Sequence, residues 1–162
     1  MLRSSLRPRN ALGVLLFAVA CGLPRDPDRT LERVRGGVVR IGVAESRPWV
    51  IVTPTGAEGV EPVLAKAIAD SLGATIEWIR KSESELLTDL SERKLDLVIG
   101  GLTHDSPWKT KIALTKPFYE DPRTKKKHVM AAPPGENAWL VFVERQLRRH
   151  QHTIPALVRS AT

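Results

Sequence analysis

Residues 95–119 read LDLVIGGLTHDSPWKTKIALTKPFY, and this stretch decides the architecture. Leu97, Val98 and Ile99 form an apolar β run, the composition of a strand covered on both faces. The Gly100-Gly101 pair after it lets backbone approach a neighbour closely, because neither residue carries a Cβ. Ser106 before Pro107 predicts a helix start. The hydroxyl can accept a free N–H there, and proline is tolerated at the first helical position. A strand that ends in a glycine turn beside a helix start is where open α/β sheets place small ligands.

Working outward, residues 38–44 (VVRIGVA) predict another strand, followed by a loop through Pro54, Gly56 and Gly59. A helix is expected over about residues 62–72, with Val60, Leu64, Ala67, Ile68 and Leu72 near helical spacing and Gly73 as its stop. Residues 75–79 predict a strand and 82–92 a helix, with Ser82 and Glu85 in capping-box spacing and Leu86, Leu87 and Leu90 inward. Residues 128–132 predict a further strand. An amphipathic helix over 136–150 turns Trp139, Leu140, Val143 and Leu147 to the core. This alternation implies an α/β fold: a mostly parallel sheet flanked by helices on both faces. There are no internal repeats.

The ends carry a different message. Arg3, Arg7 and Arg9 precede an uncharged, mostly aliphatic stretch at 11–20, too short for a membrane span, which needs about 20 residues. Residues 1–20 are therefore expected to be a signal peptide. Cys21 is the only cysteine, so no internal disulfide is available. Ala18-Val19-Ala20-Cys21 resembles a bacterial lipoprotein box, which implies lipidation of Cys21 and a membrane-anchored, exported protein; the other reading is a signal peptide with an incidental cysteine. Polar residues 21–37 read as a tether, 38–150 as the globular lobe and 151–162 as a flexible tail.

The formal charge is +7; without Arg3, Arg7 and Arg9 of the expected signal peptide it is +4, and that excess is concentrated at 123–128 (RTKKKH) and 145–152 (RQLRRHQH). Export and the lack of interleaved aromatics argue against nucleic acid as a partner. Anionic lipid headgroups suit a tethered protein better, and the plainer reading is solvated loop and helix-end charge. His104, His128, His150 and His152 show no metal-ligand spacing, and no serine sits in a nucleophile-elbow pattern. His104-Asp105 is the one acid/base-like pair. No metal, no cofactor and no enzyme activity are expected.

Read in order, the residues resemble the bacterial extracellular solute-binding proteins of family 3, the amino-acid-type receptors of ABC importers. The resemblance rests on Arg40-Ile41-Gly42-Val43, Pro48-Trp49, Gly59-Val60-Glu61, the helix body from Leu64, the segment from Lys94 to Thr103, and Pro117-Phe118-Tyr119. It implies a periplasmic-binding-protein-like lobe with a small-molecule solute, and a transporter permease as partner. Two departures stand out. Where the family carries an arginine that clamps the α-carboxylate of its ligand, this chain has Trp108, which offers one N–H and no charge. Asp105 stands where the family prefers threonine. Ordinary α-amino-acid binding is therefore not expected.

The second departure is length. The family folds as two lobes, yet only residues 120–127 separate Tyr119 from what resembles the return strand and last helix of the first lobe. The expected ligand face of a single lobe comprises Glu45, Pro48, Trp49, Leu102, Thr103, Trp108 and Tyr119; Trp49 and Trp108 either share one exposed rim of it or are half-buried packing residues. If a two-lobed receptor binds at about −8 kcal/mol, losing half the contacts leaves about −4, a millimolar affinity. Binding is thus expected to be weak or completed by a second subunit; the rival expectation is a protein-interaction module without a small ligand.

Overall fold

The computed structural model describes residues 26–161; the expected signal peptide and Cys21 lie outside the described residues. In chain order, helix α1 (Thr30–Val34) leads into β1 (Val38–Val43), the hairpin of β2 (Ile51–Thr53) and β3 (Gly56–Glu58), α2 (Val60–Asp70), β4 (Thr75–Arg80), α3 (Glu83–Ser91) and β5 (Leu97–Ile99). A single 3-10 turn at Pro107–Thr110 follows. Then come β6 (Ala113–Leu114), β7 (Tyr119–Glu120), β8 (Lys127–His128), β9 (Ala131–Ala132), α4 (Asn137–His150) and α5 (Ile154–Ala161).

The main sheet has the order β4-β1-β5-β9-β6. β1 lies parallel to both β4 and β5, with Ile41 opposite Trp78 on one side and Leu97 on the other. β9 and β6 complete the sheet in antiparallel pairs. The chain thus steps outward from β1 to β4 and back across to β5. Right-handed crossovers in opposite directions place their helices on opposite faces, and α2 and α3 do pack into separate cores. Val39, Ile41, Val43, Leu97 and Ile99 meet Leu64, Ile68, Trp139 and Val143 on one face. Val98 meets Leu86, Leu87 and Leu90 on the other. Gly42 belongs to the second face: a Cβ there would stand 2.8 Å from the side chains of Leu86 and Leu95, so α3 reaches β1 only because residue 42 has none.

Local signals explain the element starts. Ser82 Oγ accepts the Glu85 N–H while the Glu85 carboxylate accepts the Ser82 N–H, the reciprocal cap its spacing predicts. Ser106 Oγ accepts the Trp108 N–H at 3.4 Å, but the helix it starts is only the one 3-10 turn.

The structure corrects three expectations. Residues 26–37, read as part of a tether, pack against the lobe. The Glu136 carboxylate, 1% exposed, accepts the N–H groups of Asp28 and Thr30 at 2.8 Å each. The buried Asp96 carboxylate holds Arg33 and Arg40. The stretch expected as a flexible tail contains α5, with Ile154 fully buried and Leu157, Val158 and Ala161 leaning on the first core. These four recur at i, i+3, i+4 and i+7, a helical stripe. The loop through Pro54 and Gly56 is the β2-β3 hairpin, with Val52 opposite Ala57.

The expected 128–132 strand divides between two partners. Lys127 and His128 pair with Glu120 and Tyr119, whereas Ala131 and Ala132 join the main sheet. The chain therefore turns back immediately after Tyr119, and no second lobe is inserted there.

Candidate functional site

β1 and β5 are parallel neighbours, and the segments leaving their carboxyl ends pack into different cores, the arrangement in which open α/β sheets form a ligand crevice. Two turns meet in it. After β1, Ser46 and Val50 exchange backbone hydrogen bonds at 2.9 and 2.8 Å, closing a loop that carries a cis Arg47–Pro48 bond and delivers Trp49. After β5, Gly101 adopts φ +69°, a left-handed conformation natural to glycine, and lies so close to Ser46 and Trp49 that a Cβ would be 3.1 Å from the indole.

Glu61, in the first turn of α2, is fully buried beneath this crevice. Its Oε2 accepts the Gly100 N–H at 2.8 Å and the Gly101 N–H at 3.1 Å, while its Oε1 has no hydrogen-bond partner. Burial raises its pKa to about 7 against the lowering pull of the two amide donors. The amide groups that a glycine turn would otherwise turn toward an anion are thus already engaged by the chain's own carboxyl group. In the sequence Glu61 stands only as part of the step that opens α2; the signal for more is an acidic residue among apolar helix positions.

Trp49 is 8% exposed. Its ring stacks on His128 at 3.7 Å and 27°, and the Tyr119 ring lies 5.5 Å away at 54°. The sequence marks His128 as a strand residue at the end of the basic stretch 123–128 and gives it no role at the site. It is buried, its Nδ1 lacks a partner, and burial pushes its pKa below the ordinary histidine value. Thr103 bridges to His128 through backbone pairing, and its hydroxyl donates to the Asp105 carboxylate, whose pKa is lowered chiefly by that bond.

Trp49, Thr103 and Tyr119 therefore gather around His128. The other expected face residues are placed elsewhere. Glu45 accepts the Val52 N–H at 2.6 Å and pairs with Arg47 at 3.2 Å, fastening the loop to β2. Leu102 is 4% exposed and belongs to the α3-side core. Trp108 is half-buried against that same core, with Lys111 Nζ 5.4 Å from its ring centroid. Trp49 belongs to the opposite core, and no ring contact among the described residues joins the two indoles. Among the described residues no helix is long and apolar enough to cross a membrane, and no group of acidic, histidine or cysteine side chains could hold a metal.

The arrangement compares closely with solved structures. The arginine-bound form of domain 1 from TmArgBP superposes with a TM-score of 0.65 at 23% identity, over 73% of this chain and 97% of that one. An ancestral cationic amino acid solute-binding protein gives a TM-score of 0.69 at 15% identity, over 82% and 98% of the two chains. These likenesses show the fold. Among curated proteins, membrane-bound lytic murein transglycosylase F of Vibrio vulnificus (strain YJ016) is 30% identical over 99 residues, 58% of this chain and 19% of that protein. Its counterpart in Vibrio cholerae (strain ATCC 39315) is 30% identical over 95 residues. This chain therefore spans about a fifth of the length of the curated relatives it matches. The profile of one family covers residues 39–150, and with that span matched the chain belongs to the bacterial extracellular solute-binding proteins, family 3.

Proposed function

We propose that this protein is an exported solute-binding component of an ABC-type transport system, anchored to the membrane through a lipidated Cys21. In this reading it presents one lobe whose ligand surface a second subunit or the permease completes. The observation that carries the proposal is the family match over 39–150 together with a chain that turns straight from β7 into β8. The relatives support it in two ways. An isolated first domain of this fold is known in an arginine-bound form, and the curated relatives are membrane-bound. The ligand-face residues in this reading are Glu45, Trp49, Leu102, Thr103, Trp108 and Tyr119, with Trp49, Thr103 and Tyr119 nearest one another through His128. Binding, not catalysis, is the activity proposed.

A second reading has its own observation. Glu61 occupies the Gly100 and Gly101 amides, and His128 covers one face of Trp49, so the crevice offers few free polar groups. That favours a protein-interaction module. Thermal-shift measurements on the full chain, against amino acids, carboxylates and polyamines, separate the two. A shift confined to one compound class supports solute binding; no response at millimolar concentration supports the module. Gain of α-amino-acid binding by Trp108→Arg would tie the altered specificity to the missing clamp. Incorporation of a palmitate analogue that is lost in Cys21→Ala would establish the anchor.

A further inference from the structure

A cleft of about 380 Å³ lies between the turn before Trp49, the β7-β8 turn and α5, a volume suited to a small molecule. α5 falls beyond the residues matched to the family, so this wall is the chain's own. The lining is flat and apolar, from Pro48, Trp49, Tyr119 and Pro122, with two guanidinium groups added: Arg123 from the hairpin turn and Arg159 from α5. None of the ion pairs among the described residues engages either arginine. Asp121 also lines the cleft, but its Oδ1 accepts the N–H groups of Arg123 at 2.7 Å and Thr124 at 3.2 Å. Those bonds hold its carboxyl below the usual range, so it stays ionised as the anion of its own turn. Two cations thus face a cleft that carries one carboxylate, which leaves the balance positive.

We propose that this cleft binds a small planar anion: an aromatic ring bearing a carboxylate or phosphate. The ring lies along the corner formed by Tyr119 and Trp49, whose planes are inclined by 54°, and packs on the two prolines. The acid group meets Arg123 and Arg159, whose planar forks match both carboxylate and phosphate oxygens. The inference rests on the solute-binding reading and names the ligand class that reading leaves open.

The test titrates the full chain with benzoate and phenyl phosphate, using benzamide, inorganic phosphate and L-arginine for comparison. Binding is read from tryptophan and tyrosine fluorescence and from amide chemical shifts. The planar anions should saturate, with shifts at Tyr119, Arg123 and Arg159. Benzamide and inorganic phosphate should bind at least about tenfold more weakly, as should the planar anions to Arg123→Gln and Arg159→Gln, in keeping with loss of a charge-assisted hydrogen bond. Both arginines are exposed, so the thermal midpoint should hardly move. Equal binding of benzamide, or unchanged affinity in the arginine variants, overturns the proposal. If L-arginine binds with shifts at Gly101 and Thr103 while benzoate does not, the cleft assignment fails and the solute-binding reading stands. If none of the compounds binds, the cleft assignment fails, and the solute-binding reading is judged by the wider panel of amino acids, carboxylates and polyamines.

Discussion

The Trp49 indole lies against the His128 imidazole with ring centroids 3.7 Å apart, tying the turn after β1 to the strand that returns from the β7-β8 hairpin. Burial lowers the His128 pKa from its ordinary 6.5, partly opposed by Asp121 and assisted by Lys126. The unfolded chain therefore takes up a proton more readily than the folded one. Stability from the neutral imidazole is present above pH 6.5 and is lost as the pH falls through the lowered value. Urea midpoints of the wild type should carry this acid-side loss; in His128→Phe, which keeps a ring against Trp49, that component should vanish.

Glu61 has the opposite sign. Its folded-state pKa is raised from 4.5 to about 7, so its contribution is intact below pH 4.5 and is lost as the pH rises through 7. A shift of that size corresponds to about 3 kcal/mol. Glu61→Gln keeps an acceptor for the two glycine amides but cannot ionise, so its unfolding free energy should lack this component between pH 4.5 and 7. Glu61→Ala leaves both amides without an acceptor and should cost about 3 kcal/mol below pH 4.5, a difference that shrinks as the pH rises towards 7 because the wild type loses its own Glu61 contribution there, measured by denaturant titration.

Much of the frame was legible in the sequence, because period and capping act locally. The apolar run at Leu97–Ile99, the Ser82-Glu85 cap and the Trp139, Val143, Leu147 stripe all place elements where the structure has them. What the sequence did not disclose depends on partners distant along the chain. Glu136 reads as a helix-start residue until Asp28 and Thr30 are seen donating to it. Glu61 is one acid among several until Gly100 and Gly101 are found on its Oε2. Trp49 and Trp108 both flank the sheet's carboxyl edge in sequence. Which core each ring joins follows from tertiary packing, and the two go to opposite faces.

Gly101 ties the two turns of the crevice together, and its substitution should be felt in both. At φ +69° an added Cβ is strained, and it would stand 2.3 Å from Ser46 Oγ and 3.1 Å from the Trp49 indole. The serine hydroxyl can rotate away; the indole, held by His128 and Tyr119, has less room. Gly101→Ala should therefore destabilise by about 1–2 kcal/mol and shift the emission of Trp49. Gly73→Ala, at φ +63° with nothing within 4 Å, should show the backbone cost alone and leave the tryptophan spectrum unchanged.

The amino-terminal segment is part of the folded lobe, and a truncation exposes the difference from a tether. Glu136 sits just before α4 with its carboxylate 1% exposed, accepting from Asp28 through one oxygen and from Thr30 through the other. Val34 is fully buried in the first core, and Arg33 reaches the buried Asp96. A chain beginning at Arg35 removes all of these partners at once. It removes both donors to the Glu136 carboxylate and opens that carboxylate, with the apolar surface beneath Val34, to water, a loss of about 3 kcal/mol or more. Such a chain should melt well below one beginning at Gly22. Adding Glu136→Leu should hardly move the short form, where water solvates the uncovered carboxylate, and should destabilise the long form, where it removes the acceptor for Asp28 and Thr30. Paired thermal melts of the four proteins measure that difference; a segment acting only as a tether would give the same response to Glu136→Leu in both lengths.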